Sequence, residues 1–152
     1  MDTGARTTRH AGRAVAAPVT CPYCGELAAL LPSSTPLYAG RDFGPAYARL
    51  PCGAWMGCHR GTRRPLGRLA DAALRRAKRA AHDAFDPLQR RDGMTRRVAY
   101  AWLARRLGLP AHLAHVGLFD LGQCRLVMAL CRREPRRQPA SGPINPKPPE
   151  EP

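Results

Sequence analysis

Cys21-Pro22-Tyr23-Cys24-Gly25 and Cys52-Gly53-Ala54-Trp55-Met56-Gly57-Cys58-His59 are the two stretches that decide the fold. In the first, two residues separate two thiols, and the glycine after them lets the backbone turn tightly around one metal ion. In the second, Cys52-Gly53 repeats the end of this pattern, but Arg49 stands where another Cys-x-x-Cys would begin. The fourth ligand must then come from nearby. We predict a structural zinc site of Cys21, Cys24, Cys52 and Cys58, with His59 as the alternative to Cys58.

Two other interpretations of the cysteine pairs are less consistent with their surroundings. A redox Cys-x-x-Cys normally begins a helix within a βαβ pattern, whereas the flanking residues here are typical of turns and short strands. A disulfide would require an oxidising compartment, and the Arg-rich N-terminus contains no apolar export segment. A zinc ion with four protein ligands leaves no position for a reacting water, so the pattern favours a structural metal over a catalytic one.

Composition divides the chain of 152 residues into four parts. Residues 1–19 are basic and without apolar periodicity, and residues 134–152 are rich in proline, so we predict disorder in both tails. Between them we predict a zinc-ribbon-like lobe at 20–62 and a helical region at 63–133 packed on it. A core this small gains from a metal that ties distant loops together.

The predicted fold class is α+β, with short antiparallel strands in the ribbon lobe and about three α-helices after it. Within the lobe, one strand is expected at 26–31, a returning strand starting near Leu37, and another strand at 46–50 that leads into the second cysteine stretch. Two zinc-binding turns at one end of a small antiparallel sheet are the arrangement of a zinc ribbon.

Three helices are predicted from apolar periodicity and from capping residues. The first begins at Leu66 and ends at Asp86-Pro87, because the residue before a proline is disfavoured in α geometry. The second is capped by Thr95 and ended by Gly108, and its expected inner residues are Val98, Ala101, Trp102 and Leu107. The third starts at Asp120, which forms a capping box with Gln123, and continues to about residue 132.

The charge of the chain predicts a polyanionic partner, with nucleic acid, DNA or RNA, as the first choice. Lysine and arginine together number 25 against 11 acidic residues, which gives a net charge of +14. Solvated helix faces or an acidic protein partner would also account for this excess. No apolar run reaches the length that spans a membrane, so we expect a cytoplasmic protein without a membrane partner. The residues predicted to contact nucleic acid are Arg60, Arg63, Arg64, Arg68, Arg75, Arg76, Lys78 and Arg79.

No motif in the sequence specifies a reaction, and we predict no catalytic residues. Cys124 and Cys131 are seven residues apart on one helical face, a spacing that favours buried free thiols over metal ligands. His82, Asp86 and His115 could in principle form a second metal centre of nuclease type, although no spacing rule requires it.

Several segments together resemble a zinc-finger-containing domain family of unknown function that occurs mainly in bacteriophages and prophage regions. The resemblance covers most of residues 20–131 and implies zinc binding and a mobile-element setting, but no activity. Members of this family usually carry a complete second Cys-x-x-Cys, and Arg49 departs from that pattern. The segments that carry the resemblance are 21–25, 57–62, 65–70, 81–82 with 85–88, 99–104, and 115–119 with Cys124.

Overall fold

The computed structural model describes residues 18–91 and 93–133, without the side chain of Arg91. The predicted disordered tails therefore lie outside the described residues, apart from residues 18 and 19. Val19 belongs to the folded part, because its carbonyl accepts a hydrogen bond of 2.8 Å from the backbone nitrogen of Ala28. The chain divides into two compact units, one ending at Leu69 and one beginning at Ala70. We call them the sheet unit and the helical unit and describe each by itself.

The sheet unit contains three antiparallel strands in sequential order, β1 at Ala29–Leu31, β2 at Ala46–Arg49 and β3 at Ala54–Gly57. Tyr47 in the central strand pairs with Leu30 on one side and with Met56 on the other. The predicted antiparallel sheet is thus confirmed. The strand expected near Leu37 was wrong, because Thr35–Leu37 forms a 3-10 turn with a proline in its first positions. β3 was not predicted.

The core of the sheet unit is small and includes cysteines. Tyr47, Met56 and Leu69 are its largest buried members, and they pack in one cluster with Cys21 and Cys58. Few large apolar side chains are buried here, so burial alone offers limited stabilisation of this unit.

The helical unit consists of α1 at Ala72–Arg91, α2 at Arg96–Leu107 and α3 at Leu121–Arg133. Its core is built on Phe85 of α1, Leu103 of α2 and Val127 of α3, together with Phe119 from the segment before α3. All four of these side chains are fully buried. The predicted α+β class with three helices is confirmed.

The predicted helix caps are present. The hydroxyl of Thr95 accepts a hydrogen bond from the backbone nitrogen of Val98 at 3.3 Å, and Gly108 ends α2 with φ at 64°. At α3, the backbone nitrogen of Asp120 donates to the Gln123 amide oxygen at 2.9 Å. The backbone nitrogen of Gln123 donates in return to the Asp120 carboxylate at 2.8 Å. All three of these helix ends are therefore fixed by local interactions that the sequence encodes directly.

Two helix predictions were wrong in detail. α1 starts at Ala72, after Asp71 accepts a hydrogen bond from the backbone nitrogen of Leu74, and it continues through Pro87 to Arg91. A proline inside a helix costs roughly 3 kcal/mol. Leu88, one residue later, is buried and offsets much of that cost, since burial of a leucine contributes about 1.5–3 kcal/mol.

The expected inner face of α2 was wrong in part, although Trp102 and Leu107 are partly buried and pack against the core as predicted. Val98 is 48% exposed and Ala101 is exposed, whereas the buried residues are Ala99, Tyr100, Leu103 and Ala104. Apolar residues surround much of this helix, so periodicity alone does not select one face.

Two further expectations concern the thiols of α3 and the relation to membranes. Cys124 is a buried free thiol, and Cys131 is partly buried and forms no disulfide. Over residues 18–91 and 93–133, no helix combines the length and the apolar character needed to span a bilayer.

Candidate metal centre

The first cysteine turn is closed by backbone hydrogen bonds on both sides. Gly25 donates to the carbonyl of Cys21 at 2.9 Å, and Cys21 donates to the carbonyl of Glu26 at 2.8 Å. Gly25 has φ at 76°, a conformation that residues with a Cβ rarely adopt. The bridge between Thr20 and Leu27 holds the base of the turn, so both cysteines are presented from a rigid loop.

The second turn connects β2 to β3. β2 ends at Arg49, a 3-10 turn covers Leu50–Cys52, and Gly53 donates to the carbonyl of Leu50 at 2.9 Å. Gly53 has φ at 57°, so here too a glycine in the left-handed conformation follows the cysteine directly. β2 and β3 thereby place Cys52 at one end of the sheet.

The two turns bring three thiols together. The Sγ atoms of Cys21, Cys24 and Cys52 all lie within 4.8 Å of one another. Thiolates bound to one zinc ion at about 2.3 Å stand roughly 3.8 Å apart in tetrahedral geometry, so this spacing fits a common ion. Cys21 is fully buried, Cys52 is half-buried and Cys24 is exposed, which places the cluster at the surface of the unit.

Arg49 determines the electrostatics of this cluster. Its Nε donates a hydrogen bond to the Sγ of Cys24 at 3.4 Å. This guanidinium, followed by the backbone nitrogen of Glu26, lowers the pKa of the Cys24 thiol to about 7. The pKa of Cys52 is raised to about 11, first through its hydrogen bond with Cys24. Cys24 is therefore the thiol of this pair that ionises first, and thiolate is the form that binds metal.

Three of the four predicted ligands meet in the structure. Cys58 and His59 lie outside the group of thiols, and within the described residues no other donor joins it. Cys58 is buried in the core of the sheet unit, where burial raises the pKa of its thiol, and its backbone nitrogen donates to Pro45. A fourth ligand at Cys58 or His59 stays a prediction. The interaction of Arg49 with the cluster was missed, although its spacing to Gly53 equals that of Cys21 to Gly25.

A well-ordered loop in the sheet unit carries three exposed arginines. We call residues 59–64 the arginine loop; they include Arg60, Arg63 and Arg64. The backbone nitrogen of His59 donates to the carbonyl of Arg64 at 2.8 Å, and the Thr62 hydroxyl donates to the carbonyl of His59 at 2.9 Å. The hydroxyl of Tyr47 donates to the carbonyl of Arg63 at 3.2 Å and so ties the loop to β2.

The other predicted nucleic-acid contacts fall into two groups. Arg68, Arg76 and Arg79 are exposed. Arg75 and Lys78 are only partly exposed, and both donate to backbone carbonyls, Arg75 to Ala70 at 2.5 Å and Lys78 to Gly117 at 2.6 Å. These two bonds stabilise the helical unit, so they reduce the freedom of both side chains to contact a ligand.

The residues considered for a second metal centre do not form one. The imidazole of His82 is 3.6 Å from the carboxylate of Asp86, one helical turn away, but His115 instead lies against the ring of Tyr100, with 4.8 Å between the ring centroids. None of these three belongs to a group that could hold a metal among the residues described. A cavity of about 500 Å³ lies beside His115, and Arg96 and Arg97 are part of its lining. The nuclease-type centre is not supported.

Comparisons with known proteins place the chain in a family. No curated protein and no solved structure is significantly similar to it. One family model, however, matches residues 17–134, which is most of the chain and includes both cysteine turns. Together with the three clustered thiols, this match supports a metal site that is most consistent with zinc. The chain belongs to DUF3268, the family described as a zinc-finger-containing domain.

Proposed function

We propose that the protein is a zinc-stabilised nucleic-acid-binding protein that contacts phosphates through its arginines. Zinc held by Cys21, Cys24 and Cys52 would fix the two turns of the sheet unit, since the free energy of binding a structural metal is also folding free energy. The metal would take no part in a reaction. DNA and RNA are both compatible with a binding mode based on phosphate contacts.

The arginine loop is the observation that carries this proposal. Arg60, Arg63 and Arg64 are exposed on a loop whose backbone is held by internal hydrogen bonds and by Tyr47. A guanidinium presents several donors in a fixed plane that matches a phosphate, and an ordered loop loses little entropy on binding. The net charge of +14 adds long-range attraction for a polyanion.

Titration of duplex DNA and of RNA against the zinc-loaded protein at several salt concentrations tests the proposal. The variant Arg60→Gln/Arg63→Gln/Arg64→Gln is expected to weaken binding by roughly 10- to 100-fold at low salt. On duplex DNA it should reduce the slope of log K against log salt by about 2.7, or about 0.9 for each phosphate that is no longer neutralised. A matched control, Arg105→Gln/Arg125→Gln/Arg132→Gln, removes the same charge from exposed positions of the helical unit.

The comparison of the two triple variants decides between a site and a general charge effect. Equal weakening by both would show that the arginine loop is not the site, and an affinity that does not depend on salt would reject the proposal. Tyr47→Phe removes the hydroxyl that holds Arg63 without changing any charge. It should weaken binding by at most about fivefold, the equivalent of one hydrogen bond of ~1 kcal/mol.

The proposal also covers the origin of the protein and its location in the cell. We propose a phage or prophage origin, which the family resemblance supports and which the genomic neighbourhood of the coding sequence tests. A cytoplasmic location fits zinc thiolates, because cysteines stay reduced there. If the purified chain instead captures an acidic protein, and nuclease treatment leaves that complex intact, a protein-interaction module becomes the better description.

A further inference from the structure

The two cysteine turns have the same spacing and the same glycine conformation, so each position in the second turn has a counterpart in the first. Cys21 stands four residues before Gly25, and Arg49 stands four residues before Gly53. Both glycines have positive φ, 76° and 57°, and each directly follows a cysteine of the cluster. Arg49 therefore occupies in the second turn the place that Cys21, a member of the cluster, occupies in the first.

Arg49 cannot replace a thiolate as a ligand. A guanidinium is always protonated in proteins and has no lone pair to offer a metal ion. It is nevertheless directed at the cluster, with Nε 3.4 Å from the Sγ of Cys24. Hydrogen bonds of this kind to ligand atoms orient the ligands and tune the affinity for the metal.

The three clustered thiols would leave one of the four coordination positions of a zinc ion unfilled. Zinc in proteins binds four ligands in tetrahedral geometry, and the clustered thiols of the described residues provide three. Cys24 is exposed and Cys52 is half-buried, so solvent reaches this side of the cluster.

Charge favours the same arrangement. One zinc ion and three thiolates sum to −1, and the guanidinium of Arg49 brings that sum to zero, whereas a fourth thiolate beside the same guanidinium would leave −1. Glu26 is the acidic residue that also acts on Arg49. A neutral ensemble is easier to hold at a partly buried position than one with a net charge.

We propose that the zinc site of this chain has three thiolate ligands, with Arg49 as a positioning residue that holds Cys24, and that the fourth ligand comes from solvent. The ligand is a water molecule that a small thiol can displace, with the thiol proton passing to the buffer. The proposal depends on zinc binding alone and is independent of nucleic-acid binding.

Cobalt substitution of the full chain tests the proposal, because the thiolate-to-cobalt charge-transfer band reports the number of thiolates. The wild type is expected to show three-thiolate intensity that rises on addition of 2-mercaptoethanol. Arg49→Cys restores the second Cys-x-x-Cys. It should give about one third more intensity than the wild type, as four tetrahedral thiolates replace three, and should not respond to the added thiol.

Variants at Arg49 separate positioning from ligation. Arg49→Gln keeps three thiolates but loses the charged hydrogen bond to Cys24, so its zinc affinity should fall about 10-fold. Arg49→Lys, which keeps the charge, should recover part of that affinity. An unchanged affinity in Arg49→Gln would overturn the role of Arg49.

Variants at the alternative ligands decide the origin of the fourth one. Cys58→Ala and His59→Ala are expected to leave the cobalt spectrum as in the wild type, with Cys124→Ala as the control for loss of a buried thiol. Loss of one thiolate in Cys58→Ala, or of a nitrogen ligand in His59→Ala, would overturn the proposal.

Zinc-edge X-ray absorption of the wild type gives an independent count that does not rely on folding of a variant. Three sulfur neighbours and one oxygen are expected, and four sulfur neighbours would contradict the proposal. Complete absence of bound metal would instead overturn zinc binding itself, so the two failures are distinguishable.

Discussion

The sheet unit and the helical unit are stabilised by different kinds of interaction. The sheet unit buries few large side chains, chiefly Tyr47, Met56 and Leu69, and brings three thiols from two turns to one point. The helical unit buries Phe85, Phe119 and other large residues from all three helices. Each core draws its members from its own unit. Metal ligation can therefore replace apolar burial where a segment is too short to provide it.

Removal of the metal should produce the largest effect and should separate the two units. A structural zinc site contributes on the order of 10 kcal/mol, so a chelator, or Cys21→Ser, is expected to unfold the sheet unit. The two tryptophans report the units separately, Trp55 lying in β3 and Trp102 in α2. In Trp102→Phe, Trp55 of the sheet unit is the remaining tryptophan, and its fluorescence should change on chelation. In Trp55→Phe, Trp102 of the helical unit remains, and its fluorescence should stay constant. Constant fluorescence of Trp55 in a preparation without metal would contradict this.

Truncation of the aromatic core should affect only the helical unit. Phe85 is fully buried and meets Tyr100 edge-on, with the two ring centroids 5.1 Å apart. Phe85→Ala is expected to destabilise the unit by about 3–5 kcal/mol and to leave the zinc content unchanged. Denaturant unfolding followed by Trp102 measures the loss. Phe43→Ala, at a position that is 68% exposed, is the control and should cost less than about 1.5 kcal/mol.

Two glycine-to-alanine substitutions, one in each unit, are expected to raise the backbone conformational energy by the same amount. Any further difference between them then reports on the metal site. Gly53 and Gly108 have φ at 57° and 64°, and an added Cβ would meet no atom within 4 Å at either position. Alanine at each should cost about 1–2 kcal/mol through the left-handed conformation alone. Only Gly53→Ala should also weaken zinc binding, since Gly53 follows Cys52. Competition with a chelating dye measures both affinities, and equal values would remove the link between this turn and the metal.

The smallest effect is expected from alkaline pH on the helical unit. Burial raises the pKa of Tyr100, an effect that Arg96 opposes and Asp86 reinforces. Because the pKa of Tyr100 is higher in the folded state, the neutral phenol contributes its full stabilisation of the fold below the pKa of the unfolded state, about 10. That stabilisation is lost as pH rises through the pKa of the folded state. The melting temperature should therefore fall above about pH 10, and less so in Tyr100→Phe. The difference should stay below about 4 °C, and equal alkaline sensitivity of both proteins would contradict it.

Local interactions explain which parts of the structure could be predicted from the sequence. The caps at Thr95 and at Asp120 with Gln123 involve residues three apart, and the predicted ligands Cys21, Cys24 and Cys52 meet because turns fix them. β3 was missed because Ala54–Gly57 shows no alternation of apolar and polar residues, although Met56 pairs with Tyr47 only nine residues away.

Nonlocal packing also overrode a local rule and produced a contact that spacing does not reveal. Pro87 predicts the end of a helix, yet the burial of Leu88 keeps the chain helical beyond it. At the site, the sequence identifies Arg49 as a missing ligand, but only the fold shows that its side chain reaches Cys24. Burial and side-chain contacts between elements are the information that composition and spacing do not contain.

Pro87 has a consequence for the dynamics of α1. Because proline has no amide hydrogen, the carbonyl one turn earlier, that of Asp83, receives no helical hydrogen bond from it. The last turn is then held by the buried side chain of Leu88 and by the backbone nitrogens of Gly93 and Met94, which donate to Arg90 and Gln89. Amide hydrogens after Pro87 should consequently exchange with solvent deuterium well before those at the centre of the helix, so that α1 opens from its C-terminal end.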